Sequence, residues 1–331
     1  MAMAHTRLSR LLRAGIPLLS LVAIACGGEL EEQYNVDRLR VLGVVAEPPG
    51  VAYGESVELT PIIARGLERT ESLHYEWQVC LFSGGIDTFF ACPEAVGDVP
   101  FPNILAQGND PTLTFDQDFL DPDSLEALCA ALDEVASSPD LPPGLTLPKC
   151  GSGLPATVRV KVCEETPGCD DLDAEIATRT LTLVRDEHKD RADRNQNPEI
   201  LSLSVDGILA QEDGSTVITL TKAKDQDLEL LVDIPRSSIQ RYTPTRPPGE
   251  EVSEREEDLR LSWHVTVGDF FKSQGFYMEG KATYEELLEN KVSFDLSEIT
   301  LPTEIRFWLV LRDNRGGYGW LERSVQLVDG R

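Results

Sequence analysis

The sequence predicts a mainly β protein made of two tandem β-sandwiches, the first carrying a disulfide-rich insertion with a short helix. Three observations predict it. Twenty-one prolines and 25 glycines against three methionines suit strands and turns better than a helix bundle. Short alternating runs recur along the chain, bounded by turn residues. Each half sets a tryptophan inside such a run, Trp77 in one and Trp263 in the other. A length of 331 residues suits about two domains, and a hydrophobic content of 41 % is enough for packed cores.

The first module is expected over 37–186. Arg38–Ala46 reads as a strand stopped by Pro48-Pro49-Gly50, and Glu55–Ala64 as the next. Leu73–Cys80 alternates, with Leu73, Tyr75, Trp77 and Val79 on one face. Ala156–Cys163 alternates through Val158, Val160 and Val162, and Ala174–Val184 closes the set. Between the third and fourth strands lies a long insertion, expected to fold over one end of the module. In it Asp123 can cap a helix whose Leu125, Leu128, Cys129 and Leu132 follow helical spacing. Residues 187–198, EHKDRADRNQNP, are polar, without apolar periodicity, and read as a linker or a rigid joint.

The second module, expected over 199–331, repeats the plan without cysteines. Its strands are Ile200–Val205, Thr216–Leu220, Leu228–Ile234, Leu259–Val267, Val292–Leu296, Ile305–Arg312 and Trp320–Val328. Asn314-Arg315-Gly316-Gly317 supplies the turn between the last two, since glycine tolerates the positive φ that such turns need.

The N-terminus explains the odd cysteine count. Arg7, Arg10 and Arg13 precede an apolar run from Ala14 to Ala25, and the first acid is Glu29. This is the layout of a secretory signal peptide, with a run too short for a stable membrane span. Ala23-Ile24-Ala25-Cys26 resembles a bacterial lipobox. The resemblance implies cleavage after residue 25 and acylation of Cys26, with 26–36 as a lipidated polar tether. Gly27 after the cysteine favours the outer membrane under the same rule. Palmitate-type chains on Cys26 would be the link to the membrane. Six cysteines then remain, Cys80, Cys92, Cys129, Cys150, Cys163 and Cys169, an even number suited to an oxidising compartment. Sequence selects no pairing; a local one would join Cys80–Cys92, Cys129–Cys150 and Cys163–Cys169. Each loop of that size would stabilise by about 2–3 kcal/mol.

The phrases RVLGVVAEPPGVAYGESVELTPIIA with HYEWQVC, and LSWHVTVGDF with IRFWLVLRDNRGGYGWLERSVQLV, resemble immunoglobulin-like domains of the polycystic-kidney-disease type. Tandem modules of this kind are similar to those of myxobacterial-type cell-envelope lipoproteins. The resemblance implies two immunoglobulin-like β-sandwiches and speaks to fold more than to chemistry. The stretches 81–112 and 269–290 depart from a minimal domain and are where specificity would reside.

Composition and motifs narrow the function. Fifty-seven acids against 30 bases give a net charge of −27, which argues against a nucleic-acid partner. Loss of the three signal-peptide arginines makes the mature chain more acidic still. The sequence has no GxSxG, HExxH, Walker loop or GxGxxG, so neither catalysis nor nucleotide or cofactor binding is indicated. His74, His188 and His264 are expected as sheet or surface residues. Acid runs such as Glu250-Glu251, Glu254 with Glu256-Glu257-Asp258, and Glu285-Glu286 read as solvated loop faces. Asp190, Asp193, Asn195 and Asn197 look faintly like a cadherin-type calcium linker, but Gln196, Lys189, Arg191 and Arg194 oppose it. Asp225 and Asp227 are a weaker pair, so no metal site is assigned. Trp77 and Trp263 are expected in the cores, and Trp308 with Trp320 as a cross-strand pair. Phe270, Phe271, Phe276 and Tyr277 could line a ligand surface or pack beneath a loop.

The expectation is a non-enzymatic outer-membrane lipoprotein, facing periplasm or cell surface, that contacts an envelope or surface protein. Its rivals are a carbohydrate-binding or calcium-dependent adhesion module and an envelope hydrolase.

Overall fold

A computed structural model describes residues 34–66, 72–94, 102–136, 150–164, 174–221, 226–244, 253–295 and 299–330. The signal peptide, Cys26, Cys169, Asp225 and the Glu250-Glu251 pair lie outside the described residues. Tyr34–Arg331 groups as one compact unit.

The N-terminal half contains β1 (Arg40–Glu47), β2 (Gly50–Ala52), β3 (Ser56–Ala64), β4 (His74–Cys80), β5 (Ile104–Gly108), β6 (Leu113–Asp116), α1 (Pro122–Ala136), β7 (Gly153–Cys163) and β8 (Glu175–Val184). Its strands form two sheets, ordered β1-β3-β6 and β2-β8-β7-β4-β5. The apolar side chains of both meet in one core that includes Val57, Leu59, Trp77, Val158, Val160 and Leu181. Part of the stretch read as an insertion, β5 and β6, thus belongs to the sheets. β5 pairs with β4 and β6 with β3, antiparallel in both cases. These are four- and five-residue strands, and alternation over so few residues is a weak signal.

Disulfides join Cys80–Cys92 and Cys129–Cys150, matching the local pairing. Cys163 is also disulfide-bonded. The first disulfide closes a loop over the outer face of the sheet, where Arg159 is only 2 % exposed and its Nε donates to the Phe89 carbonyl at 2.9 Å. The helix is capped two residues before the expected position. The Asp121 carboxylate accepts from the Asp123 and Ser124 amides at 3.1 and 3.0 Å, and from Ser124 Oγ at 2.7 Å. Pro122, with no N–H to satisfy, suits the first helical position, which makes Asp121 the cap. Leu125 and Cys129 are buried and Leu128 and Leu132 pack beside them, as the helical spacing requires.

α2 (Asp186–Lys189) follows and leads into the C-terminal half. There the elements are β9 (Ser202–Val205), β10 (Ile208–Leu209), β11 (Val217–Leu220), β12 (Gln226–Asp233), β13 (Arg241–Tyr242), β14 (Arg255–Glu256), β15 (Leu259–Val265), β16 (Asp269–Phe270), β17 (Gln274–Tyr277), α3 (Tyr284–Leu288), β18 (Glu289–Phe294), β19 (Thr303–Asp313) and β20 (Tyr318–Asp329). Two five-stranded sheets, β10-β9-β12-β18-β16 and β11-β20-β19-β15-β17, enclose a second core around Trp263, Phe294 and Phe307. β13 and β14 form a separate ribbon. Strict alternation in β12, with Leu228, Leu230 and Val232 buried and their neighbours exposed, shows how one sheet face is driven inward. Trp77 and Trp263 lie at 1 % exposure on interior strands, as expected.

Trp308 and Trp320 do not pair directly. Trp308 stands opposite Glu322, and Trp320 opposite Val310. Trp308 is 1 % exposed because Ala64 of the N-terminal half and Val36 of the segment before β1 cover it, whereas Trp320 is 40 % exposed. The segment read as the end of the tether is also built into the fold. Tyr34 and Val36 exchange backbone hydrogen bonds with Val265, at 2.9 and 2.8 Å.

Candidate functional site

Polar side chains gather where the two halves meet, around the stretch 185–198. A cleft of about 330 Å³ opens there, lined by residues of both halves, including Ser152, His188, Arg191, Asn195, Tyr242 and Arg315.

Each arginine of the joint already has its acceptors. Arg194 forms a two-pronged pair with Glu55, at 2.9 and 2.6 Å, and donates to the Gly50 carbonyl at 2.8 Å. That guanidinium holds the Glu55 carboxyl down at about 2. Arg191 grips Asp193 in the same fashion, at 2.8 and 2.7 Å, and the Thr243 amide donates to the same carboxylate at 3.0 Å. Asp193 is likewise lowered to about 2, first by the Arg191 hydrogen bond. Of the two carboxylates considered for calcium, Asp190 and Asp193, the second is therefore engaged by an arginine. Asn197 is also spent, donating to the Ala46 carbonyl at 2.8 Å and to Glu47 at 2.6 Å, and accepting from the Tyr318 amide at 2.9 Å. Among the described residues no group of three or more His, Cys, Asp and Glu side chains is placed to hold a metal ion.

Arg179 crosses the joint. It projects from β8 at 4 % exposure, donating to the carbonyls of Val44 and Pro49 in its own half and of Gly316 in the other, at 2.9, 3.2 and 2.5 Å. Burial lowers it to about 10, so it is charged at neutral pH. Arg312 reaches back from the C-terminal half to the Leu42 carbonyl at 2.7 Å. The Tyr318 ring receives both guanidiniums, at 5.1 and 4.8 Å from its centroid.

Glu257, expected on a solvated loop face, is completely buried. Its carboxylate accepts from Arg315 at 2.9 Å and from the Gln240 amide at 3.3 Å. Arg315 also donates to the Asp193 carbonyl at 2.6 Å and lies over the Tyr242 ring at 4.6 Å. Burial, then the nearby Asp313 carboxylate, raise Glu257 to about 7. Asp313 is itself raised by burial, and its carboxylate accepts from the Arg315 and Gly317 amides, both at 2.7 Å. Tertiary cover placed Glu257 inside; its spacing of two from Leu259 was the available signal.

His188 and Ser152 both line the cleft. The imidazole faces Arg191 through Nδ1 at 3.4 Å and Glu187 through Nε2 at 3.2 Å, and burial pushes its pKa down. His74 and His264 are half-buried residues of β4 and β15. The second aromatic group divides by strand parity: Phe270 and Tyr277 are buried, and Phe271 and Phe276 are exposed.

The arrangement is suited to locking two halves together. Arg191, Arg194 and Arg315 pair with carboxylates, and Arg179 and Arg312 each donate to a carbonyl of the opposite half. The fold is mainly β and carries disulfides, and this polar site lies where its two halves meet. No family model matches the chain, and no curated protein matches it. It is similar, at 10 % identity, to a solved structure described as structural insight into host cell surface retention of a 1.5-MDa bacterial ice-binding adhesin. The likeness covers 89 % of this chain and 65 % of that one, with a TM-score of 0.21. At that score it carries no argument about this chain.

Proposed function

We propose that the protein is a non-enzymatic lipoprotein of the bacterial cell envelope, of the myxobacterial type. Acyl chains on Cys26 hold it to the outer membrane, facing the periplasm or the cell surface. Its two halves are immunoglobulin-like β-sandwiches of the polycystic-kidney-disease type, joined as one stiff arm that presents loops to an envelope or surface protein. The membrane raises local concentration and the arm supplies reach.

One observation carries the stiff-arm reading: buried Arg179 donates to carbonyls of both halves. A joint able to swing would have to break those bonds and leave the carbonyls unpaired, a cost of roughly 1–3 kcal/mol each. The anchoring reading rests on Ala23-Ile24-Ala25-Cys26 behind a charged and apolar leader.

Two experiments test the two parts. Spin labels at exposed Thr114 and Leu209, one in each half, should give a single narrow distance distribution. A broad distribution would refute the stiff arm. Palmitate labelling of cells should mark the wild-type chain and vanish in Cys26→Ser; persistence of the label in that variant would refute the anchor.

A further inference from the structure

The described chain begins at Tyr34, which is pinned to one corner of the C-terminal half. Its ring packs edge-on against Phe270 at 5.6 Å, its hydroxyl donates to Asp269 at 3.3 Å, and its carbonyl accepts from the Val265 amide at 2.9 Å. The next residue after Phe270 points the other way. Phe271 is 64 % exposed, a large apolar ring left in water beside the point where the tether enters the fold.

Phe271 is not alone. It lines a shallow cleft of about 400 Å³ with Leu231, which is 51 % exposed. Lys272, Lys291, Glu229 and Glu289 surround them. Lys291 pairs with Glu229 at 3.2 Å, and Lys272 donates to the carbonyls of Glu286 and Glu289 at 3.4 and 3.3 Å. Two lysines against two glutamates leave these lining side chains neutral on a chain whose net charge is −27. The patch is also held in shape: the Phe271 amide donates to the Lys291 carbonyl at 3.0 Å, and Asn290 accepts from the Lys272 amide at 3.2 Å while donating to its carbonyl at 2.7 Å.

We infer that this patch rests against the bilayer, with Phe271 and Leu231 at the boundary between lipid headgroups and acyl chains. The inference rests on acylation of Cys26. Tyr34 lies eight residue steps after Cys26, a reach of at most about 28 Å when fully extended. An acylated Cys26 therefore confines the Tyr34 corner to the neighbourhood of the membrane. Apolar side chains gain from leaving water at that interface, and lysine stems reach toward phosphates while their glutamate partners prevent a purely basic attraction. The net acidity of the chain opposes contact with anionic lipid, and a neutral, aromatic corner held near the anchor approaches at a lower electrostatic cost.

The test uses the chain from residue 27, which lacks the Cys26 thiol that would also take up label, with an N-terminal hexahistidine tag in place of the acylated cysteine. The tag binds vesicles of phosphatidylethanolamine and phosphatidylglycerol doped with a nickel-chelating lipid. A spin label at Phe271→Cys is compared with one at Tyr53→Cys, an exposed position of the N-terminal half. Collision with oxygen relative to chromium oxalate should be several-fold higher at 271 than at 53, and Phe271→Asp should weaken retention at low density of the chelating lipid. Equal collision ratios at the two positions on vesicle-bound chain would overturn the inference, as would quenching at 271 that appears only with protein concentration, the mark of contact between copies. Because the tag replaces the acyl anchor, this result does not depend on acylation in cells, which palmitate labelling decides separately.

Discussion

The Arg179 guanidinium donates to the Gly316 carbonyl at 2.5 Å, joining the last strand of the N-terminal half to the closing hairpin of the C-terminal half. A charge so deeply buried persists because three carbonyls and an aromatic face replace its water.

Removing it should be costly. Arg179→Met leaves the Val44, Pro49 and Gly316 carbonyls without their donor, offset in part by relief of a buried charge. A loss of about 2–4 kcal/mol is expected, read as a lowered denaturant midpoint. Arg179→Lys should recover only part of it, since one ammonium on a single stem cannot reproduce the fork.

The two outer-face tryptophans should respond differently. Trp308→Ala opens a void between the halves and should cost about 3–5 kcal/mol. Trp320→Ala, on an exposed ring, should stay within about 0.5 kcal/mol of wild type in the same unfolding assay.

The helix cap distinguishes two neighbouring acids. Asp121→Ala should lower the melting temperature and the protection of the Asp123 and Ser124 amides from exchange, because both lose their acceptor. Asp123→Ala should leave both measurements nearly unchanged.

Stability should peak in mildly acidic solution. Glu55 and Asp193 are held near 2, below their ordinary values, so their contribution is full above about pH 4.5 and is lost as pH falls toward 2. Glu257 is raised to about 7, so its ionised form is the disfavoured one in the fold. Stability should rise as pH drops from above 7 toward about 4.5. Melting temperatures from about pH 2 to about pH 8 test both limbs, and Glu257→Gln should flatten the upper one.

The disulfides should each matter. Cys129→Ser with Cys150→Ser should cost about 3 kcal/mol and detach the helix from the core that buries Cys129. Non-reducing peptide mapping should return the Cys80–Cys92 and Cys129–Cys150 links.

Much of the strand plan was legible because alternation is a local signal. Val158, Val160 and Val162 point one way whatever surrounds them, and the glycines after Asn314 mark a turn by backbone freedom alone. The joint was less so. Arg179 sits at the same strand parity as buried Ala177 and Leu181, and Glu257 keeps step with Leu259 and Leu261. A charge at a core parity is a readable anomaly, but its partners lie more than a hundred residues away for Arg179 and 58 away for Glu257.

By itself the sequence determined the mainly β character and the core positions of Trp77 and Trp263, and it offered, without selecting it, the local pairing in which two disulfides close short loops. Each depends on periodicity or on short chain separation. Only the tertiary structure decided that β5 and β6 join the sheets, that Trp308 is buried between the halves, and that Arg191 takes up Asp193 while Arg194 takes up the distant Glu55. Those outcomes depend on which distant surfaces meet, and spacing along one strand does not say which distant surface covers it.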